Sequence, residues 1–232
     1  MSEQRMSGEE RRTAIMRAVL PLFAKQGFAQ TTTRELAEAA GVSEALLYKH
    51  FPSKESLYAE IKNFGCHGSD PALEKLASLE PSTSTLVHLI YFLMRSLAVG
   101  KPSDRIGWET RHRLVLHSCL EDGKFPRYLF NSHFDCCFAK LEACVEAAEA
   151  AGYLVAAPVS RQNRLLFAHH LACMTAIMHL PEKPIVDYQV SREELLHQAV
   201  WFVLRGIGLT DKAIAQYYDP TSHSVFFASG DT

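Results

Sequence analysis

The sequence predicts an all-α fold: a three-helix helix-turn-helix unit at the N-terminus, then a larger helical domain. Three observations predict it. Apolar residues recur at helical spacing from Ile15 to Phe23 and again from Leu86 to Leu97. Between Thr31 and Lys54 two short amphipathic segments are joined by Ala40-Gly41-Val42-Ser43, a tight turn bearing glycine. No segment reads as a convincing strand, and there is no internal repeat. The expected boundaries are 1–64 for the first domain with its linking helix, 65–216 for the second, and 217–232 for a tail.

The first helix is expected from Glu9 to Gln26, with Ile15, Ala18, Val19, Leu22 and Phe23 as its apolar stripe. Gly27 supplies the left-handed stop. Pro21 lies within it and removes one backbone hydrogen bond, so a kink is expected there. Thr32 and Glu35 have capping-box spacing and start helix two, which buries Leu36, Ala37 and Ala40 and ends at Gly41. Ser43 is the natural N-cap of helix three. Ser53, just after Pro52, caps helix four, with Leu57, Tyr58, Ile61 and Phe64 on one face.

Gly65 to Pro71 reads as a joint. Longer helices are expected beyond it, at Thr85–Val99, Ser103–Leu120, Pro126–Ala151, Ser160–Leu180 and Ser191–Ile207. The last two are apolar nearly all round and need burial on more than one side, inside one subunit or against a second one. The tail mixes Asp, Pro, Ser and Gly with Val225-Phe226-Phe227, so it is either loosely ordered or docked through that triplet.

Composition narrows the function classes. The 232 residues are 47% hydrophobic and 22% charged, which suits a globular protein with a sizeable core. No run approaches the roughly 18 apolar residues of a membrane span, and MSEQRMSGEERR has no apolar signal core, so a cytoplasmic protein is expected. Six cysteines, mostly within apolar helical segments and without regular spacing, read as small buried hydrophobes. Residues 1–64 carry 9 Lys+Arg against 8 Asp+Glu, and the remainder 15 against 18. Neither part is polybasic, so any DNA affinity must come from a few well-placed groups, doubled in a dimer.

Helix three supplies such groups. On a helix over Glu44–Phe51, Leu47 and Phe51 stack on one side, where they can lock against helix one. Ala45 and Lys49 form the opposite pair, flanked by Leu46 and Tyr48. That face suits a major groove: Lys49 can donate to guanine O6/N7, and Ala45 or Leu46 can pack on a thymine methyl. Tyr48, His50 and Lys54 suit phosphate oxygens, as do the Thr33 hydroxyl and the N–H groups at the start of helix two, beside Arg34. Glu44 reads first as a helix-dipole acid and second as an acceptor from cytosine N4. Thr32 reads first as a cap. Ser43 reads equally as cap and contact.

The run Leu22-Phe23, Gly27-Phe28, Thr31-Thr32, Leu36-Ala37, Ala40-Gly41-Val42-Ser43, Leu47-Tyr48-Lys49-His50-Phe51 and Lys54-Glu55-Ser56-Leu57 resembles the N-terminal domain of TetR/AcrR-type transcriptional regulators. The resemblance runs from Ile15 to Ile61, within roughly the first quarter of the chain. It implies a homodimer whose third helices read a palindromic double-stranded operator, usually to repress. It also implies a four-helix dimer interface from Ser160–Leu180 and Ser191–Ile207, here assigned to His169, Cys173, Ala176, Leu196, Ala199 and Val203. A small hydrophobic or amphipathic effector is implied for the C-terminal domain. Two departures, the bulky Leu46 and Pro21, leave the preferred bases open.

For the effector, Tyr91, Met94, Trp108, Phe130, Phe134, Phe138, Phe167, His170 and Met174 are candidate lining residues, although aromatic and Met stripes at helical spacing are ordinarily core. Their alternative is metal or redox sensing through His133, Cys137, Cys144, His169, His170 and Cys173 on facing helices. No cofactor and no resident metal is expected. An enzyme is not expected either, since there is no Gly-rich phosphate loop and no nucleophile elbow. A further rival is a helical dimer that uses DNA only as a sequence-tolerant anchor.

Overall fold

Ser7 starts the first helix. Its hydroxyl accepts from the Glu10 N–H at 3.2 Å, and the Glu10 carboxylate accepts from the Ser7 N–H at 2.7 Å, a complete capping box. The computed structural model describes residues 6–64, 71–100, 105–131 and 135–223. Its helices are α1 (Gly8–Gln30), α2 (Thr33–Ala39), α3 (Glu44–His50), α4 (Lys54–Phe64), α5 (Pro71–Ser78) and α6 (Thr83–Met94). They continue with α7 (Arg105–Leu120), α8 (Lys124–Leu129), α9 (Asp135–Ala150), α10 (Arg161–Met178), α11 (Arg192–Ile207) and α12 (Asp211–Tyr217). Among the described residues, extended pairing is limited to one antiparallel bridge, Leu154 with Leu209.

The chain divides into two units: Met1–Gly68 with Glu109–Asn131, and Ser69–Trp108 with Ser132–Thr232. In the first, Ile15, Val19, Phe23, Leu36, Leu47, Phe51, Leu57 and Ile61 form one buried cluster with Leu114 of α7 and Phe125. Residues 109–131 therefore share the core of the N-terminal helices, whereas the sequence reading put them in the second domain. The cut falls within α7.

Pro21 leaves α1 helical. Its ring is exposed, so the bond it cannot donate lies on the solvent side, where water replaces it. The interruption lies at Gly27 (φ 80°, ψ 168°). There a side chain is doubly excluded. The φ is left-handed, and a Cβ would sit 2.9 Å from His117 Nδ1.

In the second unit α6, α9, α10, α11 and α12 enclose Leu86, Ile90, Tyr91, Met94, Leu141, Cys144, Leu165, Ala172, Val200 and Leu204. The helix expected over Thr85–Val99 changes pitch partway, since α6 ends at Met94 and a π-helical turn spans Arg95–Val99. Gly100 (φ 74°) closes it, donating its N–H to the Arg95 carbonyl at 2.8 Å. Trp108 lies against that glycine: a Cβ there would meet Trp108 Cδ1 at 2.5 Å, and the indole N–H donates to the Leu97 carbonyl at 2.8 Å.

Within the range Pro126–Ala151, expected as one helix, the described residues give α8 and α9, and residues 132–134 between them lie outside the described ones. Helices α5 and α12 were not anticipated. At the end of α11, Arg164 donates to the carbonyls of Val159 (2.9 Å), Ile207 (2.9 Å) and Ala157 (3.1 Å), fixing the segment after α9 to the end of α11. The joint at 65–70 and the Val225-Phe226-Phe227 triplet lie outside the described residues.

Candidate nucleic-acid interface

A seven-residue helix is too short to persist alone, so α3 takes its position from what holds its ends and back. Upstream, Thr32 and Glu35 close a capping box on α2, with the Thr32 hydroxyl donating to Glu35 at 2.7 Å. Gly41 (φ 63°) makes the turn, and the Val42 N–H reaches back to the Ala37 carbonyl at 3.0 Å. Ser43 then caps α3, its hydroxyl accepting from the Leu46 N–H at 3.2 Å.

The helix has two unlike sides. Leu47 (3% exposed) and Phe51 (0%) enter the first unit's core. Burying two such side chains stabilises the seat by about 1.5–3 kcal/mol each. Ala45, Tyr48 and Lys49 are exposed on the other side, with Tyr48 at 43%, and Leu46 and His50 are half-buried beside them. An outward ridge of alanine, tyrosine and lysine is left exposed.

The flanking candidates are already engaged within the unit. The Thr33 hydroxyl donates to the Glu44 carboxylate at 3.2 Å and ties α2 to α3. Arg34 pairs with Glu38 across one exposed turn at 2.9 Å, and the pairing raises the guanidinium's pKa. Lys54 is the clearest correction to the phosphate-contact reading. Its ammonium donates to the carbonyls of Phe28 (2.8 Å) and Thr31 (2.9 Å) and lies 4.2 Å from the centre of the Phe28 ring. Exposed carbonyls past a helix end attract a cation at short range, so Lys54 closes the end of α1.

Arg12 was missed by the sequence reading. Its guanidinium lies 4.5 Å from the centre of the Phe51 ring, donates to the His50 carbonyl, and forms an ion pair with Glu60. A signal existed: Arg12 lies three residues before Ile15 and seven before Val19, in register with the buried stripe.

Helix four contributes Leu57, Tyr58 and Ile61 to the same core. Burial raises the Tyr58 hydroxyl to about 12, with the carboxylates of Glu121 and Asp122 adding to the rise.

The C-terminal candidates separate. Tyr91, Met94 and Trp108 are buried in the second unit, and Phe138 is half-buried against the same core. Phe130 belongs to the first unit and is exposed; Phe134 lies outside the described residues. Phe167 (58% exposed), His170 and Met174 (53%) share one outward face of α10, so they line no interior cavity. The interface candidates divide too. Ala176, Leu196 and Val203 are buried within the chain, His169, Cys173 and Ala199 are half-buried, and the large apolar side chains exposed on α11 are Trp201 and Phe202.

A small crevice does occur between the π-helical turn, α10 and α11, lined by Ala98, Val99, Thr175, Arg192, Leu195 and Ala199 among others. Its empty volume, open solvent at the mouth included, is about 230 Å³, so the enclosed part is far smaller than a drug-sized site. Among the described residues no three His, Cys, Asp or Glu side chains converge as a metal site. Cys144 is fully buried, and desolvation raises its thiol pKa. His133 lies outside the described residues. No helix of the described residues is long and apolar enough to cross a membrane.

Residues 15–61 match the family model described as bacterial regulatory proteins, tetR family. Over 103 residues the chain is 32% identical to the nucleoid occlusion factor SlmA of Salmonella strains such as Salmonella newport SL254, covering 44% of this chain and 52% of SlmA. The chain thus spans about half the length of the curated relatives it matches. Two solved structures share the fold. AibR, in complex with isovaleryl coenzyme A and operator DNA, aligns with a TM-score of 0.61 at 18% identity, over 83% of this chain and 97% of its own. A tetR-family regulatory protein from Rhodococcus RHA1 aligns with a TM-score of 0.60 at 20% identity, over 87% and 98%.

Proposed function

We propose that the chain is a member of the TetR family of bacterial regulatory proteins, whose family model its residues 15–61 match, and that it is a sequence-specific DNA-binding transcriptional regulator. In this reading it acts as a homodimer on a palindromic operator, represses from it, and is released by a small hydrophobic or amphipathic ligand. The observation that carries the reading is the exposed ridge of Ala45, Tyr48 and Lys49 on a helix clamped from behind by Leu47 and Phe51. A rod held on one side and open on the other is the form that enters a major groove.

Lys49 serves as the base reader and Tyr48 as a phosphate contact. Ala45 and Leu46 form the apolar edge for a thymine methyl, and the half-bonded Thr33 and Ser43 hydroxyls flank them. With Lys54 and Arg34 engaged elsewhere, few cations face the duplex, so one head binds weakly and two are needed. Doubling is supported by the large exposed side chains on α10 and α11: Phe167, Met174, Trp201 and Phe202. An outward apolar face on two adjacent helices signals a protein partner. Two heads on such a dimer must lie about 34–36 Å apart, or a multiple of it, to meet grooves on one side of the DNA. A ligand releases the operator only by favouring a different head spacing. AibR, which was crystallised with both a coenzyme A thioester and operator DNA, supports the view that this fold accommodates both partners.

The match to a nucleoid occlusion factor favours one other reading, a DNA-bound dimer whose output is recruitment of a protein. Selection from a random duplex library separates these from a sequence-tolerant anchor. Wild-type protein is expected to enrich a palindrome, and Lys49→Ala to relax preference at one base pair in each half. Failure to enrich any motif, with affinity following salt alone, would overturn the proposal. Reporter output from the selected site, in cells with and without the protein, then distinguishes repression from recruitment.

A further inference from the structure

We propose that Arg12 is a positioning residue for sequence recognition: through the guanidinium joining α1, the end of α3 and α4, it sets the angle at which Tyr48 and Lys49 meet the bases. This inference rests on the DNA-reading role proposed for α3.

Helix α3 offers few other determinants of its pitch. Ser43 and the Thr33–Glu44 bond fix its start, and Leu47 and Phe51 anchor its back, but the far end of a two-turn helix can still rock about that apolar contact. The last four carbonyls of any helix lack partners within it. In α3 the His50 carbonyl is one of them, and Arg12 Nη1 donates to it from the first helix. Arg12 Nη2 meanwhile pairs with Glu60 of α4, and the guanidinium carbon lies 4.5 Å from the centre of the Phe51 ring that plugs the core just past α3.

Three contacts from one rigid, planar group hold the end of α3 against two other helices. Only the arginine fork has this geometry, because a lysine ammonium is a point donor without a stacking plane. Side-chain exposures of 24% for Arg12 and 37% for Glu60 leave the pair partly shielded from water. A positive group at a helix C-terminus is also favoured by the backbone dipole. Lys49 lies one residue before the clamped carbonyl, so a rotation at this end displaces its ammonium directly.

The test measures specific against non-specific affinity. Wild-type protein and the variants Arg12→Met, Arg12→Lys and Glu60→Gln are each titrated against the operator selected by wild type and against a scrambled duplex of equal length, across a salt series. Far-ultraviolet circular dichroism at the assay temperature confirms that each is folded. Arg12→Met is expected to lower the specific-to-non-specific ratio about tenfold, the order of one lost base contact. Affinity for the scrambled duplex and its salt slope should stay at wild-type values, because the guanidinium is spent inside the protein. Glu60→Gln should move the ratio the same way by less, and Arg12→Lys should restore little. A ratio within twofold of wild type in folded Arg12→Met overturns the inference, as does a changed salt slope, which would make Arg12 a phosphate contact. Where Arg12→Met fails to fold, Glu60→Gln decides: an unchanged ratio overturns the inference. If wild type itself selects no operator, the DNA-reading proposal fails and this one with it.

Discussion

Lys54 reaches back across 26 residues to Phe28, donating to its carbonyl at 2.8 Å while lying 4.2 Å from the centre of its ring. A second bond, to the Thr31 carbonyl at 2.9 Å, leaves the ammonium committed to the end of α1. Hydrogen bonds involving a charged partner contribute about 1.5–3 kcal/mol. Lys54→Met should therefore lower stability by about 2 kcal/mol, seen as a reduced thermal midpoint. The salt slope of DNA binding should stay at its wild-type value. A slope reduced by about one would instead identify Lys54 as a phosphate contact.

At Gly27 two separate costs can be measured apart. Gly27→Ala forces a left-handed backbone on a residue with a Cβ, at about 1–2 kcal/mol, and brings that Cβ to 2.9 Å from His117 Nδ1. Combining it with His117→Ala removes the steric part and leaves the backbone part. Chemical denaturation of both variants should show partial recovery in the double variant. Complete recovery would mean that the backbone relaxes freely there.

His223 makes stability depend on pH. The ring is 4% exposed, with Nδ1 at 2.8 Å from the Asp219 carbonyl oxygen and Nε2 buried without a hydrogen-bond partner among the described residues. It packs 4.5 Å from the His88 ring of α6, near Tyr91, Tyr218 and His197, and Glu193 lies beside His197 on α11. Desolvation lowers its pKa, and positive charge on His88 or His197 adds to the shift, while Asp219 opposes it. A histidine held neutral contributes stability above its unfolded pKa of about 6.5 and loses it as pH falls through the folded value. Acidification from pH 7.5 to 5.5 should therefore lower the hydrogen-exchange protection factors of residues 218–223, taken relative to the slower intrinsic exchange at acid pH, and His223→Asn should flatten that dependence. An equal slope in the variant would assign the effect to another group.

Self-association should respond to the outward residues of the last helices and not to their inward ones. Phe202 is 64% exposed and Leu196 1%. Phe202→Glu is expected to yield monomers in sedimentation and to weaken operator binding. Leu196→Ala should cost about 2–5 kcal/mol of stability while leaving the oligomeric state alone. Monomers from the second variant and dimers from the first would reverse the assignment of faces.

The N-terminal helices are legible in sequence because short-range chemistry sets them. Thr32 with Glu35, Ser43 with Leu46, and Gly41 in the turn act over a few residues and leave visible spacing. The clamps are less legible. Lys54 to Phe28 and Arg12 to His50 join residues 26 and 38 positions apart, and only the stripe register of Arg12 hinted at either. In α10 and α11 the apolar residues run all round, so periodicity gives no phase. The packing inverts the usual expectation: Ala168, Ala172 and Ala176 face inward, where neighbouring helices approach closely, while Phe167 and Met174 face out.

The sharing of one core by Leu114, Phe125 and the first four helices has a consequence for protein engineering. A chimera that grafts residues 1–64 onto a foreign body leaves behind two of the side chains that fill the head's interior, and should emerge poorly folded. Transplanting the head requires a discontinuous cassette, with 109–131 carried alongside.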